Sequence, residues 1–300
     1  GSTPVTIPIT VNKRIPTIGS LSIGNKTYGD ANFDIVNPST NSSGTFSYVS
    51  SNTAVATISG HTVSITGAGS ATITANLASD ADYDIGSTTA TLTVNKAIPA
   101  IGSIASISKT FGDANFNLTA PTSNSTGAFS YASSDSNVVS IIGNTVTIVG
   151  AGTAIITAAQ AGDANYDPRS VTTTITINKA LPVLTVMTPI TKVYGDASFG
   201  INLPTSSSTA GVILASSNTN VATISGNTIS IIGVGTATIT ATQVANTNYL
   251  GTTTSTTLTV NKTTPVLSNF NAISKTTDDA PFTLIAPTSS GGTGLITYSS

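Results

Sequence analysis

A chain of 300 residues with 10 basic and 12 acidic side chains, one His, no Cys and no Trp is poor in the groups that most chemistry needs. Its net charge of −2, with Lys and Arg spread thinly, argues against a nucleic-acid surface, which requires clustered cations, and the lack of Cys removes disulfides and thiol chemistry without deciding compartment. All 12 acidic residues are Asp and none is Glu, while Thr, Val and Ile abound, so the composition leans to strand and away from helix.

Hydrophobic residues make up 39% of the chain in short alternating runs, which can build cores and argue against disorder. No apolar run approaches the roughly 20 residues that span a bilayer, so no membrane insertion is expected in this segment. The opening Gly1-Ser2-Thr3-Pro4 shows no signal peptide.

From the N-terminus, Ile7-Pro8-Ile9-Thr10-Val11-Asn12-Lys13 parallels Ala90-Thr91-Leu92-Thr93-Val94-Asn95-Lys96. Asn-Lys returns at 12–13, 95–96, 178–179 and 261–262, each 83 residues after the last. The series Pro16, Pro99, Pro182 and Pro265 keeps the same step, as does Lys26, Lys109, Lys192 and Lys275. Tyr28-Gly29-Asp30 recurs as Phe111-Gly112-Asp113 and Tyr194-Gly195-Asp196, then decays to Thr277-Asp278-Asp279. So constant a period identifies a structural unit.

The phase divides the chain. Residues 1–13 are expected to be the last strand of a preceding module. Modules 1, 2 and 3 run over 14–96, 97–179 and 180–262, and 263–300 is a fourth copy that stops midway, at Thr297-Tyr298-Ser299-Ser300. Both ends are expected to cut through a module of a longer chain.

Within module 1, Phe33 and Ile35 mark a short strand, and Phe46-Ser47-Tyr48 alternates as a half-buried strand does. Val55 to Ile58 follows, then a tight turn at Ser59-Gly60-His61 into Thr62 to Ile65. A Gly67-Ala68-Gly69 turn leads into Ser70 to Ala75, and Thr88 to Val94 closes the module. About seven short strands with turn signals between them predict an all-β antiparallel sandwich. A module of this size buries roughly 60% of its unfolded surface, so packing on its neighbours in the chain should help it. The link Asn95-Lys96-Ala97-Ile98-Pro99 leaves no floppy spacer. An extended, semi-rigid tandem array is expected, each module adding on the order of 30–40 Å.

The run from Phe46 through Gly60, followed by Gly67 to Ala75, resembles the bacterial Ig-like repeats of cell-surface proteins and is similar to the group 2 bacterial Ig-like domains. The Tyr28-Gly29-Asp30 turn and the Asp-Ala-Asn-Tyr stretch ending at Tyr166 resemble the MBG-type subgroup with its Tyr-Gly-x motif. The resemblance implies tandem Ig-like β-sandwich modules, an extracellular or secreted setting and stalk or adhesin roles, with no family-wide catalytic residues. The third copy departs at Val212-Ile213-Leu214 and the fourth at Thr277-Asp278-Asp279.

Each candidate site has two readings. His61, the single histidine, is a general base or a turn residue. Its register partners Asn144 and Asn227 also follow Gly, and such turns favour residues that tolerate the left-handed conformation, so the turn reading is preferred. The pairs Gly67/Gly69, Gly150/Gly152 and Gly233/Gly235 lack the Gly-Lys-Ser/Thr of a phosphate loop and lead into strands, as hairpin turns do. Asp80, Asp82 and Asp84 alternate like calcium ligands, but the Gly falls at 86 and no Glu exists to close the shell. The other reading is an Asx-rich turn that delivers a buried Tyr83, similar to a tyrosine corner.

All eight Lys fall at two register positions, and the Asp30 series reaches every copy. They mark a repeated binding face, a Lys–Asn isopeptide crosslink, or solubilising charges at a linker and an edge strand. Thr-rich closing strands present hydroxyl rows that suit ice or glycan binding, or an exposed sandwich face. Taken together, the residues predict a non-catalytic spacer or stalk. The alternative is that the repeats themselves bind a glycan or a surface protein. Neither enzyme activity nor a cofactor is expected, calcium at Asp80, Asp82 and Asp84 being the one candidate.

Overall fold

The computed structural model describes residues 1–290 and 294–299. The described residues form strands and no helix. In the first copy these are β1 (Lys26–Thr27), β2 (Phe33–Asp34), β3 (Phe46–Ser50), β4 (Ala56–Ser59), β5 (Thr62–Ile65), β6 (Gly69–Leu77) and β7 (Gly86–Asn95). Period-two alternation decides which way each strand faces. Along β6, Ala71, Ile73, Ala75 and Leu77 are buried, while Thr72, Thr74 and Asn76 face outward.

Two sheets result, ordered β1-β7-β6-β3 and β2-β5-β4. Their inner faces meet over Leu21, Ile35, Tyr48, Val63, Ile73 and Leu92, the packing of an immunoglobulin-like sandwich. Most pairing is antiparallel, as expected. β1, however, joins β7 in parallel, Lys26 opposite Val94. Parallel neighbours need a long crossover, and the intervening strands of the copy provide it.

The same set recurs at 83-residue steps. The second copy has β8 (Ile107–Thr110), β9 (Phe116–Asn117), β10 (Phe129–Ser133), β11 (Val139–Ile142), β12 (Thr145–Ile148), β13 (Gly152–Gln160) and β14 (Arg169–Asn178). The third has β15 (Ile190–Val193), β16 (Phe199–Gly200), β17 (Val212–Ser216), β18 (Ala222–Ser225), β19 (Thr228–Ile231), β20 (Gly235–Gln243) and β21 (Thr252–Asn261). Loss of the aromatic pair at Val212-Ile213-Leu214 leaves the register unchanged. Val212 pairs with Gln243 as Phe46 pairs with Leu77. Contacts divide the chain into two compact units, residues 1–109 with 113–177 and residues 110–112 with 178–300.

Three local features differ from expectation. Strand β6 continues to Leu77 and β7 begins at Gly86, because the ladder extends through the Leu77–Gly86 pair. Residues 1–13, expected as a closing strand, form no strand. Ile9 and Val11 are 87% and 88% exposed, whereas Leu92 and Val94 at the same register are 0% and 2% exposed; among the described residues no strand pairs with residues 1–13. In the fourth copy, the described residues form one antiparallel pair, β22 (Val266–Ser268) with β23 (Thr288–Ser290), whose side chains are exposed. Residues 291–293 and Ser300, which belong to the expected half-copy, lie outside the described residues.

Candidate functional site

The loop that carries the calcium candidates is a tightly bonded turn. Asp80 Oδ1 accepts the backbone N–H of Asp82 at 2.9 Å and of Tyr83 at 2.7 Å. Its Oδ2 accepts Ser42 Oγ at 2.8 Å, Ser43 N–H at 2.6 Å and Ser43 Oγ at 2.9 Å. Asp163 repeats the pattern with Asn165 and Tyr166 on Oδ1, and with Ser125 and Thr126 on Oδ2. In the third copy Asn246 Oδ1 still accepts Asn248 and Tyr249 at 2.9 and 2.8 Å, while its Nδ2 donates to Ser208 Oγ at 3.3 Å. One geometry thus survives the loss of charge, as a turn requires and a cation site does not. Asp84 Oδ1 accepts the N–H of Ile85. Among the described residues no three metal-ligating side chains gather, so Asp80, Asp82 and Asp84 are not brought together.

These hydrogen bonds set the acid response. The Ser42 hydroxyl, then the Tyr83 amide, hold Asp80 well below the usual carboxylate range, and the Thr126 and Asn165 amides do the same for Asp163. A depressed folded value means that the unfolded chain binds the proton more tightly. The stabilisation is therefore complete above the ordinary carboxylate value and is lost as pH falls through and below about 4. Calorimetry between about pH 6 and pH 3 should show the first two copies losing stability more steeply than the third, with Asn246 at that position. Asp80→Asn should flatten the response of the first copy alone.

The turn's cargo reaches the preceding copy. Within the first unit the Tyr166 ring stands edge-on to Tyr28, centroids 5.4 Å apart at 85°. Asn165 Oδ1 accepts the N–H of Ala68, inside the Gly67-Ala68-Gly69 turn, at 2.9 Å. Ala97 donates to Asn165 O and accepts from the Asp167 N–H, both at 2.9 Å. Lys96 Nζ donates to the backbone oxygen of Asp163 at 2.5 Å. Four sequence features, the Tyr-Gly-Asp turn, the Gly-x-Gly turn, the Asn-Lys link and the Asx loop, therefore meet in one junction.

The second unit holds matching contacts. Phe111 stands edge-on to Tyr249 at 5.4 Å and 80°, Lys179 Nζ donates to Asn246 O at 2.6 Å, and Ala180 bonds Asn248 and Leu250 through its backbone.

The two Lys series separate. Lys96 and Lys179 belong to the junction. Lys26, Lys109, Lys192 and Lys275 lie over Phe33, Phe116, Phe199 and Phe282, 4.5–5.3 Å from the centroids, each contact being worth about 0.5–1 kcal/mol at an exposed site. The Asp30 series closes turns: Asp30, Asp196 and Asp279 accept the N–H of Thr27, Val193 and Thr276.

His61 lies at the surface, its Nε2 3.5 Å from Asp34 Oδ2. The left-handed residue of its turn is the preceding glycine and not His61 itself. Gly60, Gly143 and Gly226 have φ near +60°, a region that costs an L-residue roughly 1–2 kcal/mol. Gly60→Ala, with open space around the new Cβ, should lower stability by about 1 kcal/mol, read as a shifted denaturant midpoint at unchanged slope. Gly67 is required for another reason: a Cβ there would sit 2.4 Å from Ala54 O. The Thr rows divide by face. Thr172 and Thr174 point outward, whereas Thr173 is buried and donates to Ala105 O.

Sequence reasoning missed Gln160 and Gln243, buried at the ends of β13 and β20 where the first copy has Leu77. Gln160 Nε2 donates to Ser125 O and Gly127 O, fixing the loop that Asp163 grips. The signal was a polar residue at a register position otherwise apolar.

A family model described as intimin, immunoglobulin-like domain, matches residues 37–82. A comparison with curated proteins found no match. Solved structures similar to this chain include Drosophila N-cadherin EC1-4, at 10% identity over 83% of this chain and 76% of that one, TM-score 0.28. Sidekick-1 immunoglobulin domains 1-5 give 12% identity over 84% and 60%, TM-score 0.34. A mutated variant of titin domains I67-I69 gives 14% over 82% and 98%, TM-score 0.33.

Proposed function

We propose that this chain is a non-catalytic spacer segment of a bacterial surface or secreted, adhesin-like protein, built from Ig-like copies of the MBG-type subgroup that end after each Asn-Lys. The junction carries the reading. Residues that the repeat keeps constant are used where one copy meets the next, and a spacer needs that contact while an active site or a lone binding domain does not. The family match over residues 37–82 agrees with a surface setting. Groups that could suggest chemistry have structural duties: the Gly-x-Gly pairs at tight approaches and Asp80 and Asp163 in Asx turns.

Nitrogen-15 relaxation on the full chain tests the proposal. Residues 14–96 and 97–177 should share one rotational diffusion tensor. Independent tumbling of the two would sink the spacer reading, since a freely hinged pair transmits no distance.

A further inference from the structure

Each junction joins a tail face, at the end of one copy's large sheet, to a head face, the Asx loop of the next. One face of each kind stands without its match. In the third copy the tail face is built as in the other two. Tyr194 N–H donates to Asn261 O at 2.9 Å, as Tyr28 and Phe111 donate to Asn95 O and Asn178 O, and Gly233 donates to Val221 O as Gly67 does to Val55 O. Among the described residues, however, no ring stands on Tyr194. Tyr194 is 49% exposed and Val234 is 44% exposed, whereas their counterparts Tyr28, Phe111, Ala68 and Ala151 are half-buried.

The head face of the first copy is complete in the same sense. Asp80 holds the amides of Asp82 and Tyr83. Arg14 donates to Asp82 O at 2.9 Å and accepts from the Asp84 N–H at 2.8 Å, the bonds that Ala97 makes to Asn165 and Asp167. An open cleft of about 360 Å³ lies beside Tyr83, Asp82 and Lys13, and among the described residues no ring stands on Tyr83.

We propose that the head face of the first copy docks on the third-copy tail face of a second copy of this chain. Register fixes the contacts. Tyr83 meets Tyr194 edge-on, as Tyr166 meets Tyr28. Asp82 accepts the Val234 N–H, as Asn165 accepts that of Ala68. Lys262 Nζ donates to Asp80 O, as Lys96 and Lys179 donate to Asp163 O and Asn246 O.

Two observations name this occupant. Inside the chain, both kinds of face are already seated on one another, once in each unit, so the molecule itself displays the partner's chemistry. The second is charge. Asp82 stands where the other head faces carry Asn165 and Asn248, and a carboxylate accepts an N–H more strongly than a carboxamide does. Residues 1–13 form no strand and β22 is exposed throughout, so the flanking segments can be displaced without loss of sandwich pairing. Because the two faces differ, the contact is heterologous and repeats into open strings. A second molecule lacks the effective concentration that a short link imposes, so the association is weak. The inference carries the junction beyond one chain and does not rest on the spacer role.

Sedimentation velocity and amide shifts of the full 300-residue chain, followed between about 0.02 and 1 mM, test it. The mean sedimentation coefficient should rise with concentration, with shifts centred on residues 80–84, 193–195, 233–235 and 262. Tyr83→Ala and Tyr194→Ala should each weaken association about fivefold or more. Val234→Asp, at an exposed position, should do the same by repulsion from Asp82 while leaving the Tm unchanged. A mixture of Tyr83→Ala chains with Tyr194→Ala chains keeps one intact pair of faces, so it should associate again but stop at dimers. Sedimentation and shifts independent of concentration, shifts centred elsewhere, or association untouched by all three variants would overturn the proposal. Relaxation measured at the dilute end tests the spacer reading separately, so either can fail without the other.

Discussion

Replacing Ile73 with alanine will lower the melting transition of the first copy by about 10 °C or more. Ile73 sits in the middle of β6, paired with Ser50 on one side and Ala90 on the other, and it is 0% exposed. Truncating a buried Ile costs about 2–5 kcal/mol, the spread reflecting how far the site collapses. A unit of this length has a total stability of roughly 4–12 kcal/mol, so one methyl-rich side chain is a large part of it. Neighbouring strands cannot close the hole, since both sheets are fixed by their ladders. Ile156 and Ile239 occupy the same position and are also fully buried, and the same change there should act on the second and third copies in turn. Val49→Ala is the control: Val49 faces outward on β3 and is 52% exposed, and its loss should stay within about 0.5 kcal/mol. Differential scanning calorimetry of the full chain reads both. A trace unchanged by Ile73→Ala would contradict the two-sheet core.

Much of the sandwich was legible because it is local. Alternation placed β3, the Gly60 turn placed β5, and the 83-residue step carried the strand set from the first copy to the second and third. The parallel β1–β7 pair was not legible. Lys26 and Thr27 sit in a run without alternation, and their partners Val94 and Asn95 are set by tertiary packing. At the junction the residues were legible as series but not in their roles. Ala68 and Asn165 meet across 97 positions, and a repeat shows which residues are kept without showing which of them touch. Asn246 illustrates a second limit. Sequence registers the loss of an acid there, while the geometry shows the same Oδ1 holding the same two amides. With His61, composition pointed to the side chain and the backbone assigned the strained position to Gly60, because removing Cβ is the cheaper way to reach positive φ.

At the junction, Tyr28 and Tyr166 should show an interaction energy of about 0.5–1.5 kcal/mol in a double-mutant cycle to alanine. Tyr28 belongs to the first copy and Tyr166 to the second, so each single change removes one ring and the cycle isolates what passes between them. Tyr28→Phe should be nearly neutral. The second unit already has Phe111 at this register, and it makes the same edge-on contact with Tyr249, so the hydroxyl is dispensable. The consequence exceeds the energy. Lys96 and Ala97 fasten the two copies at the link itself, Ala68 fastens them at the Gly-x-Gly turn and the rings at the Tyr-Gly-Asp turn. A single covalent link permits rotation about itself, whereas attachment at three separate places opposes bending in any direction. In stacked repeats, stability divides into the units and the interfaces between them. Tyr166→Ala should therefore separate the calorimetric transitions of the first two copies and give their nitrogen-15 relaxation two diffusion tensors in place of one. If the cycle closed with no interaction energy, the ring contact would be incidental, and the link and the Asn165–Ala68 bond would have to hold the junction alone.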